Sequence, residues 1–277
     1  MRLKMRDLTV HIICFSPTGT SRRIAEAIAR GMKPGEIIVH DVTLLSNKQL
    51  EIPEGDFAIF AAPVYGGKMA PLAKERMEGI RGTGTPCAVV AVYGNRSFEK
   101  AVVDMAQFAK VQGFSTIAAG AFVGEHSYST PENPIAAGRP DNSDIEDCGH
   151  FGCKIAEKMS QNRSQPDVMV LKHAPDPDMS VQNFKNFVAS YQQSQAAHPK
   201  KLIPETDTNL CTGCGTCITV CPTQAIGEDC LTIEASRCIK CCACVKSCPS
   251  GARTLASPFA PVLSANFSIR KAPVWVL

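Results

Sequence analysis

A doubly wound α/β body joined to a small cysteine-rich module is the architecture this sequence predicts. Three observations predict it. Over the first ~160 residues, short apolar runs alternate with amphipathic helical patterns, as in a parallel sheet covered by helices on both faces. Ten of the 14 cysteines fall between Cys211 and Cys248, and only Cys14, Cys87, Cys148 and Cys153 are spread over the rest. A chain of 277 residues also has room for about two domains at roughly 150 residues each.

The strand candidates are residues 9–15, 36–42, 57–63, 87–93 and 116–123. Each is a short continuous apolar run, as a strand buried on both faces should be. Between them, Ile24, Ile28 and Met32 recur at helical spacing. A second helix is expected from Ser97 to about Gln112, with Val102, Met105, Phe108 and Ala109 on one face and Gly113 as its stop. A third starts near Asn142 and carries Ile145, Cys148, Phe151, Gly152, Ile155 and Met159. The segment from Thr43 to Asp56 gives only a weak helix signal. Beyond it, residues 181–191 read as one more helix and the Gln/Ser/Ala-rich stretch 192–198 as a linker. The expected division is a body over 1–195, a module over 200–256 and a tail over 257–277. That tail is apolar at its end and is expected to dock on the body through Trp275.

Composition excludes several functions. A balance of 29 Lys+Arg against 26 Asp+Glu leaves +3, too mild for a nucleic-acid or anionic-membrane surface. No apolar run reaches the ~18–20 residues of a membrane span. The basic start, Met1 to Arg6, precedes an apolar run that contains His11 and lacks a small-residue cleavage site, so it reads as the first strand rather than a signal peptide. The expected compartment is the cytoplasm, where clustered cysteines mean metal or redox chemistry rather than disulfides.

The cysteine module contains an internal repeat. Cys211-Thr-Gly-Cys214-Gly-Thr-Cys217-Ile-Thr-Val-Cys221-Pro222 returns 27 residues later as Cys238-Ile-Lys-Cys241-Cys-Ala-Cys244-Val-Lys-Ser-Cys248-Pro249. Each copy is C-x2-C-x2-C-x3-C-P, the bacterial ferredoxin run for two [4Fe–4S] clusters, whose fourth cysteine ligates the other cluster. One set is then Cys211, Cys214, Cys217 and Cys248; the other is Cys238, Cys241, Cys244 and Cys221. Cys242 aligns with Gly215 and is left as a bystander, as is Cys230, within a hairpin expected over 225–233. A tetrahedral zinc site has no use for the third evenly spaced cysteine of each run. A module this small draws stability from its clusters.

In the body, the turn after the first strand reads Ser16-Pro17-Thr18-Gly19-Thr20-Ser21 and opens a helix. Backbone N–H groups and the positive helix end attract an anion. The hydroxyls add hydrogen bonds, which suits a phosphate monoester. Neither a P-loop lysine nor a G-x-G-x-x-G is present. Ligands of such sheets bind at the carboxyl ends of the strands, and two more loops lie there. Pro63-Val64-Tyr65-Gly66-Gly67 follows the third strand, and Val92-Tyr93-Gly94-Asn95-Arg96 the fourth. Together they offer two aromatic faces and flexible backbone to a flat ring.

These three loops resemble those of flavodoxin-like FMN domains. With the cysteine repeat behind them, the whole layout resembles the bacterial and archaeal flavodoxin–ferredoxin fusions often called EFR1-type ferredoxins. Residues 122–127, 138–141 and 270–277 look similar too. The resemblance implies a flavodoxin-like five-stranded parallel sheet of order 2-1-3-4-5, with FMN at the strand ends, beside a small α+β two-cluster ferredoxin domain. It assigns the phosphate to Ser16, Thr18, Gly19, Thr20 and Ser21, and the isoalloxazine to Pro63, Val64, Tyr65, Gly66, Gly67, Tyr93, Gly94 and Asn95. The second loop lacks the tryptophan that many flavodoxins stack on the ring.

The expected function is electron transfer between the two clusters, FMN and low-potential protein donors and acceptors, in anaerobic metabolism. The alternative is an FMN-dependent reductase of a small molecule, fed by the clusters. No catalytic residue is assigned; His126 and Tyr65 are the candidates near the site, and Arg139 and Asp141 could gate it, although Asp141 also suits a helix N-cap. Cys14, Cys87 and Cys148 are expected to be core.

Overall fold

The computed structural model describes residues 5–44, 49–161 and 164–277. The chain divides into two compact units. Unit 1 holds residues up to 125, then 138–174 and 271–277; unit 2 holds 126–137 and 175–270.

Unit 1 runs β1 (Thr9–Cys14), α1 (Thr20–Met32), β2 (Glu36–Asp41), β3 (Leu50–Ile52), β4 (Phe57–Tyr65), β5 (Lys68–Met69), α2 (Pro71–Met77), β6 (Ile80–Gly82), β7 (Pro86–Tyr93), α3 (Ala101–Val111), β8 (Ser115–Val123) and α4 (Asn142–Gln161). The five long strands β2-β1-β4-β7-β8 are parallel. By rank along the chain this is the order 2-1-3-4-5, the flavodoxin-like doubly wound arrangement. Four of the apolar runs become its buried centre: Ile12 pairs with Ile59, and every residue of β7 is buried. The run at 36–42 instead becomes the edge strand β2, which buries only His40 of its six residues because no strand covers its outer side.

One face of the sheet carries α1 and α4, with Ile24, Ile28, Met32, Cys148, Phe151, Ile155 and Met159 in a single core with Val10, Ile12 and Cys14. The two helices meet at glycines: a Cβ on Gly152 would stand 2.0 Å from the Ile28 carbonyl oxygen, and one on Gly31 2.2 Å from that of Gly149. The helix expected from Ser97 begins later, at Ala101. In the weak 43–56 segment the described residues form strand β3, which pairs in parallel with β6, and no helix. Residues 45–48, like Met1 to Lys4, lie outside the described residues.

Unit 2 contains α5 (Asp178–Ala197), β9 (Glu205–Thr206), α6 (Thr216–Thr219), α7 (Ala243–Lys246), β10 (Arg253–Thr254) and α8 (Phe259–Asn266). The linker expected at 192–198 is instead the last part of α5, which runs to Ala197, so the boundary expected at 195 falls inside a helix. Gln and Ala are good helix formers, and their low apolar content does not stop the helix. The excursion 126–137 contributes Tyr128 and Ile135 to a core with Phe184, Phe259, Ala260, Leu263 and Phe267.

The tail is divided as well. Its first part forms α8 of unit 2. Its end returns to unit 1 as β11 (Val274–Val276), antiparallel on the edge of β8 with Trp275 opposite Gly120. Trp275 stacks against Phe122 at 6.3 Å and packs on Phe151 at 5.4 Å. Among the described residues no helix is long and apolar enough to cross a membrane.

Candidate functional sites

In unit 1, β1 lies between β2 and β4, so the winding reverses there and a crevice opens at the strand ends. The first loop leaves β1 at this point. Gly19 is the N-cap of α1 with φ +79° and has no side chain to cap the helix. The loop is fixed from behind. The Ser16 N–H donates to Thr43 Oγ1 at 2.7 Å, and the Arg22 N–H donates to Ser16 Oγ at 3.0 Å. Thr43 is itself held: its N–H donates to Asp41 Oδ1 at 2.9 Å, and Nη1 of the buried Arg76 donates to its carbonyl. Thr18 and Gly19 are exposed, Thr20 is half-buried, and Ser16 and Ser21 are buried.

The second loop is the hairpin turn between β4 and β5, where Tyr65 pairs with Lys68. Gly66 and Gly67 occupy it with φ +58° and +77°. The Gly67 carbonyl accepts from the Lys100 N–H at 3.0 Å. Both Gly19 and Gly66 face open space, with nothing within 4 Å of where a Cβ would stand. The third loop follows β7; Asn95 is buried there at φ +64°, and Lys271 Nζ donates to the Arg96 carbonyl at 2.6 Å.

The residues assigned to phosphate and to the second loop therefore share one strand-end edge. It offers a helix start whose Arg22 N–H is taken by Ser16 Oγ, exposed Thr18, and open space over two glycines. Tyr93 departs from expectation as an open aromatic face. It is 3% exposed, with its ring against Phe98 at 5.4 Å and His173 at 6.3 Å. These two rings cover it, leaving half-buried Tyr65 as the accessible aromatic.

Arg139 and Asp144 form a buried ion pair, with Arg139 Nε donating to Asp144 Oδ2 at 2.9 Å. Asp141 accepts from the Asp144 N–H at 3.1 Å, the N-cap role considered for it. Nδ1 of His126, within unit 2, accepts from the Tyr128 N–H at 3.0 Å.

In unit 2 the repeat extends to backbone conformation. Left-handed residues recur at the 27-residue offset as Gly213 and Lys240, Gly215 and Cys242, and Gln224 and Gly251. Gly215 caps α6 and Cys242 caps α7, so Cys242 does the work of a glycine and is buried. The hairpin at 225–233 forms, closed by a bridge between Ile226 and Ile233.

Cys221 of the first run and Cys238, Cys241 and Cys244 of the second line one cavity of about 360 Å3, its mouth included. The four cysteines expected as one crossed set therefore share a chamber, and Cys242, expected as a bystander, lines it too. Burial pushes the Cys241 thiol up to about 12 and Cys244 to about 11. Cys214 is lowered, chiefly by the Thr216 hydroxyl. At Cys248, burial pushes upward, but hydrogen bonds from Ser250 and from the backbone at Arg253 and Ala252 outweigh it.

Cys14, Cys87 and Cys148 are fully buried in unit 1, and burial raises each to about 12. At neutral pH these thiols stay protonated and unreactive.

Sequence reasoning missed the supports behind the loops: Thr43, Arg76, His173 and Lys271. It also missed a buried polar cluster. His11 Nδ1 and His40 Nε2 lie 2.9 Å apart, and His11 Nε2 lies 3.0 Å from Asp56 Oδ2. His11 sits within an apolar strand, and only the pairing of β1 with β2 brings its partner into view.

Residues 203–226 and 231–254 each match a family described as a 4Fe-4S binding domain. Together they cover both cysteine runs. Over 118 residues the chain is 28% identical to an iron-sulfur subunit of the CoB–CoM heterodisulfide reductase of Methanocaldococcus jannaschii, covering 35% of this chain and 17% of that one. Over 166 residues it is 25% identical to one subunit of the H2:CoB–CoM heterodisulfide,ferredoxin reductase of Methanothermobacter thermautotrophicus, covering 51% and 24%. The chain thus spans a quarter or less of the length of these relatives. Among solved structures it is similar to a flavodoxin from the domain Archaea (15% identity, 55% of this chain and 98% of the other, TM-score 0.32). It is also similar to a Streptococcus pneumonia flavodoxin (21% identity, 55% and 98%, TM-score 0.37).

Proposed function

We propose that this chain is an electron-transfer iron-sulfur flavoprotein, with FMN at the strand-end edge of unit 1 and the two clusters in unit 2. The observation that carries the flavin reading is the braced, open loop from Ser16 to Ser21 at the switch point of a 2-1-3-4-5 sheet, where such folds bind FMN. Ser16, Thr18, Gly19, Thr20 and Ser21 hold the phosphate. Hydroxyls and the N–H groups opening α1 meet it, and Thr43 and Arg76 keep the loop in shape beforehand. Pro63, Val64, Tyr65, Gly66 and Gly67 border the ring on one side. Gly94 and Asn95 border it on the other, with Tyr93 as their buried footing. The peptide between Gly66 and Gly67 is free of side chains and can reorient to offer either a carbonyl or an N–H to the ring edge.

In unit 2 one cluster takes Cys211, Cys214, Cys217 and Cys248, and the other takes Cys238, Cys241, Cys244 and Cys221. The all-thiolate sets give one-electron centres, whereas a bound flavin takes one electron or two. Carrying both on one chain makes exchange between them intramolecular, at a high effective concentration. The partners on either side are low-potential redox proteins, and the setting is anaerobic and cytoplasmic.

The test is purification of the full chain without oxygen, followed by flavin and iron analysis and stepwise reduction. One FMN per chain with both clusters, and flavin bleaching when only the clusters are reduced directly, is the expected result. Iron–sulfur absorption with no flavin bound at micromolar FMN would refute the assignment of unit 1.

A further inference from the structure

The two cysteine runs are related by a 27-residue offset that holds for ligands, prolines and left-handed residues alike. Over residues 211–226 and 238–253, among the positions buried in both copies, the residue type changes at one, Ile226 and Arg253. Ile226 follows Cys221 by five residues, and Arg253 follows Cys248 by five. Ile226 is apolar and packs among Cys217, Cys230 and Cys244. Arg253 is 3% exposed. Nη1 of its guanidinium donates to the Cys230 carbonyl at 2.9 Å. Nε and Nη2 are buried with no hydrogen-bond partner among the described residues.

A buried guanidinium with idle donors is costly unless something accepts from them. No carboxylate ion-pairs with it among the described residues; its charged surroundings are cysteines. Its Nη1 is anchored on the carbonyl of Cys230, which packs with Cys217 and Cys244, and Arg253 itself follows Cys248 by five residues. Cys217 and Cys248 belong to one expected ligand set. The cost of burying Arg253 is offset once that set carries the negative charge and exposed sulfur of a cluster, because N–H groups and positive charge stabilise the reduced state.

We propose that Arg253 splits the two clusters in potential, raising the one on Cys211, Cys214, Cys217 and Cys248 above its repeat mate, which has Ile226 in the corresponding place. The substitution of arginine for isoleucine in one copy turns a symmetric pair of electron sites into an ordered one. This inference rests on the ligand assignment proposed above but not on the flavin.

The test is a potentiometric titration of the anaerobically prepared full chain, followed by electron paramagnetic resonance. The wild type is expected to show two separate cluster waves. Arg253→Ile gives the second copy the residue of the first and is expected to move one wave down at least tenfold in reduced-to-oxidised ratio, about 59 mV for one electron. Arg253→Lys, which keeps the charge, is expected to retain most of the splitting, while Arg253→Gln, which keeps donors without charge, retains little. If Arg253→Ile fails to hold iron, the Lys and Gln variants decide. Two unmoved waves in fully loaded Arg253→Ile, or equal shifts of both waves, would overturn the proposal, as would a Gln variant that titrates like the wild type. A failure of the cluster reading shows itself separately, as wild-type iron and sulfide contents below two clusters per chain, and a wrong ligand assignment as full loading in Cys217→Ser.

Discussion

Replacing Thr43 with valine isolates what the phosphate loop owes to its support. The side chains have nearly the same shape, so no cavity opens. What is lost is Oγ1, the acceptor of the Ser16 N–H at 2.7 Å. Ser16 and Thr43 are both buried, so water does not replace it. The grip of Arg76 on the Thr43 carbonyl and the bond from the Thr43 N–H to Asp41 use the backbone and survive the substitution. Leaving a buried donor without an acceptor costs about 1–3 kcal/mol. Because Ser16 begins the phosphate loop, that cost falls on the conformation that meets the anion. FMN affinity is then expected to drop roughly 5- to 140-fold at 1.4 kcal/mol per tenfold. The assay is quenching of flavin fluorescence on titration with apoprotein, run in parallel with riboflavin, which lacks the phosphate. Thr43→Val should weaken FMN and leave riboflavin nearly unchanged. Equal losses for both ligands, or FMN affinity within twofold of wild type in a folded variant, would refute the reasoning.

Three further outcomes are expected. Gly152→Ala places a Cβ 2.0 Å from the Ile28 carbonyl oxygen and forces α1 and α4 apart, costing about 1–3 kcal/mol; a lowered urea midpoint reports it, and an unchanged midpoint contradicts the close packing. The folded-state pKa values of Cys14, Cys87 and Cys148 are raised from 9.0 to about 12, so their contribution to stability is complete below pH 9 and is lost as pH rises toward 12. The loss is about 2 kcal/mol per thiol by pH 10.5, and Cys87→Ala should flatten the fall in urea midpoint between pH 8 and 10.5. Trp275→Ala removes a half-buried ring from Phe122 and Phe151 and is expected to cost about 2 kcal/mol, below the 3–5 of a fully buried ring; amide exchange should rise at Ala119 and Ala121, and protection as in the wild type would show that β11 is held by backbone pairing alone.

The parts of the fold that were legible from sequence are those whose signals are local. Five apolar runs announced five strands, four of them because a strand covered on both faces needs apolar residues at every position; the edge strand β2 buries only His40. Gly215 announced the left-handed cap at Cys242 because the repeat register is written in the chain. What stayed hidden depends on pairing across long separations. The bond from Ser16 to Thr43 spans 27 residues and that from Lys271 to Arg96 spans 175, and neither leaves a pattern in its own neighbourhood. Composition misled at 192–197, where polar residues continue a helix. It misled again at Tyr93, whose covering residue, His173, lies far along the chain. Arg253 lies past the repeat as read from sequence, which stopped at Pro222 and Pro249, and it acquires meaning only with its burial and its unpartnered Nε and Nη2.

The strand β11 fixes an order of events in synthesis. Its residues are translated after the whole of 175–270, yet they close the edge of a sheet whose other strands are complete by residue 123. Until then the nascent body carries β8 with one row of N–H and C=O groups unpaired, the kind of edge that recruits foreign strands. The sheet therefore gains its edge strand only after both cysteine runs have left the ribosome. Loss of residues 271–277 would leave the cysteine runs intact and would be felt instead as aggregation through the exposed edge of β8.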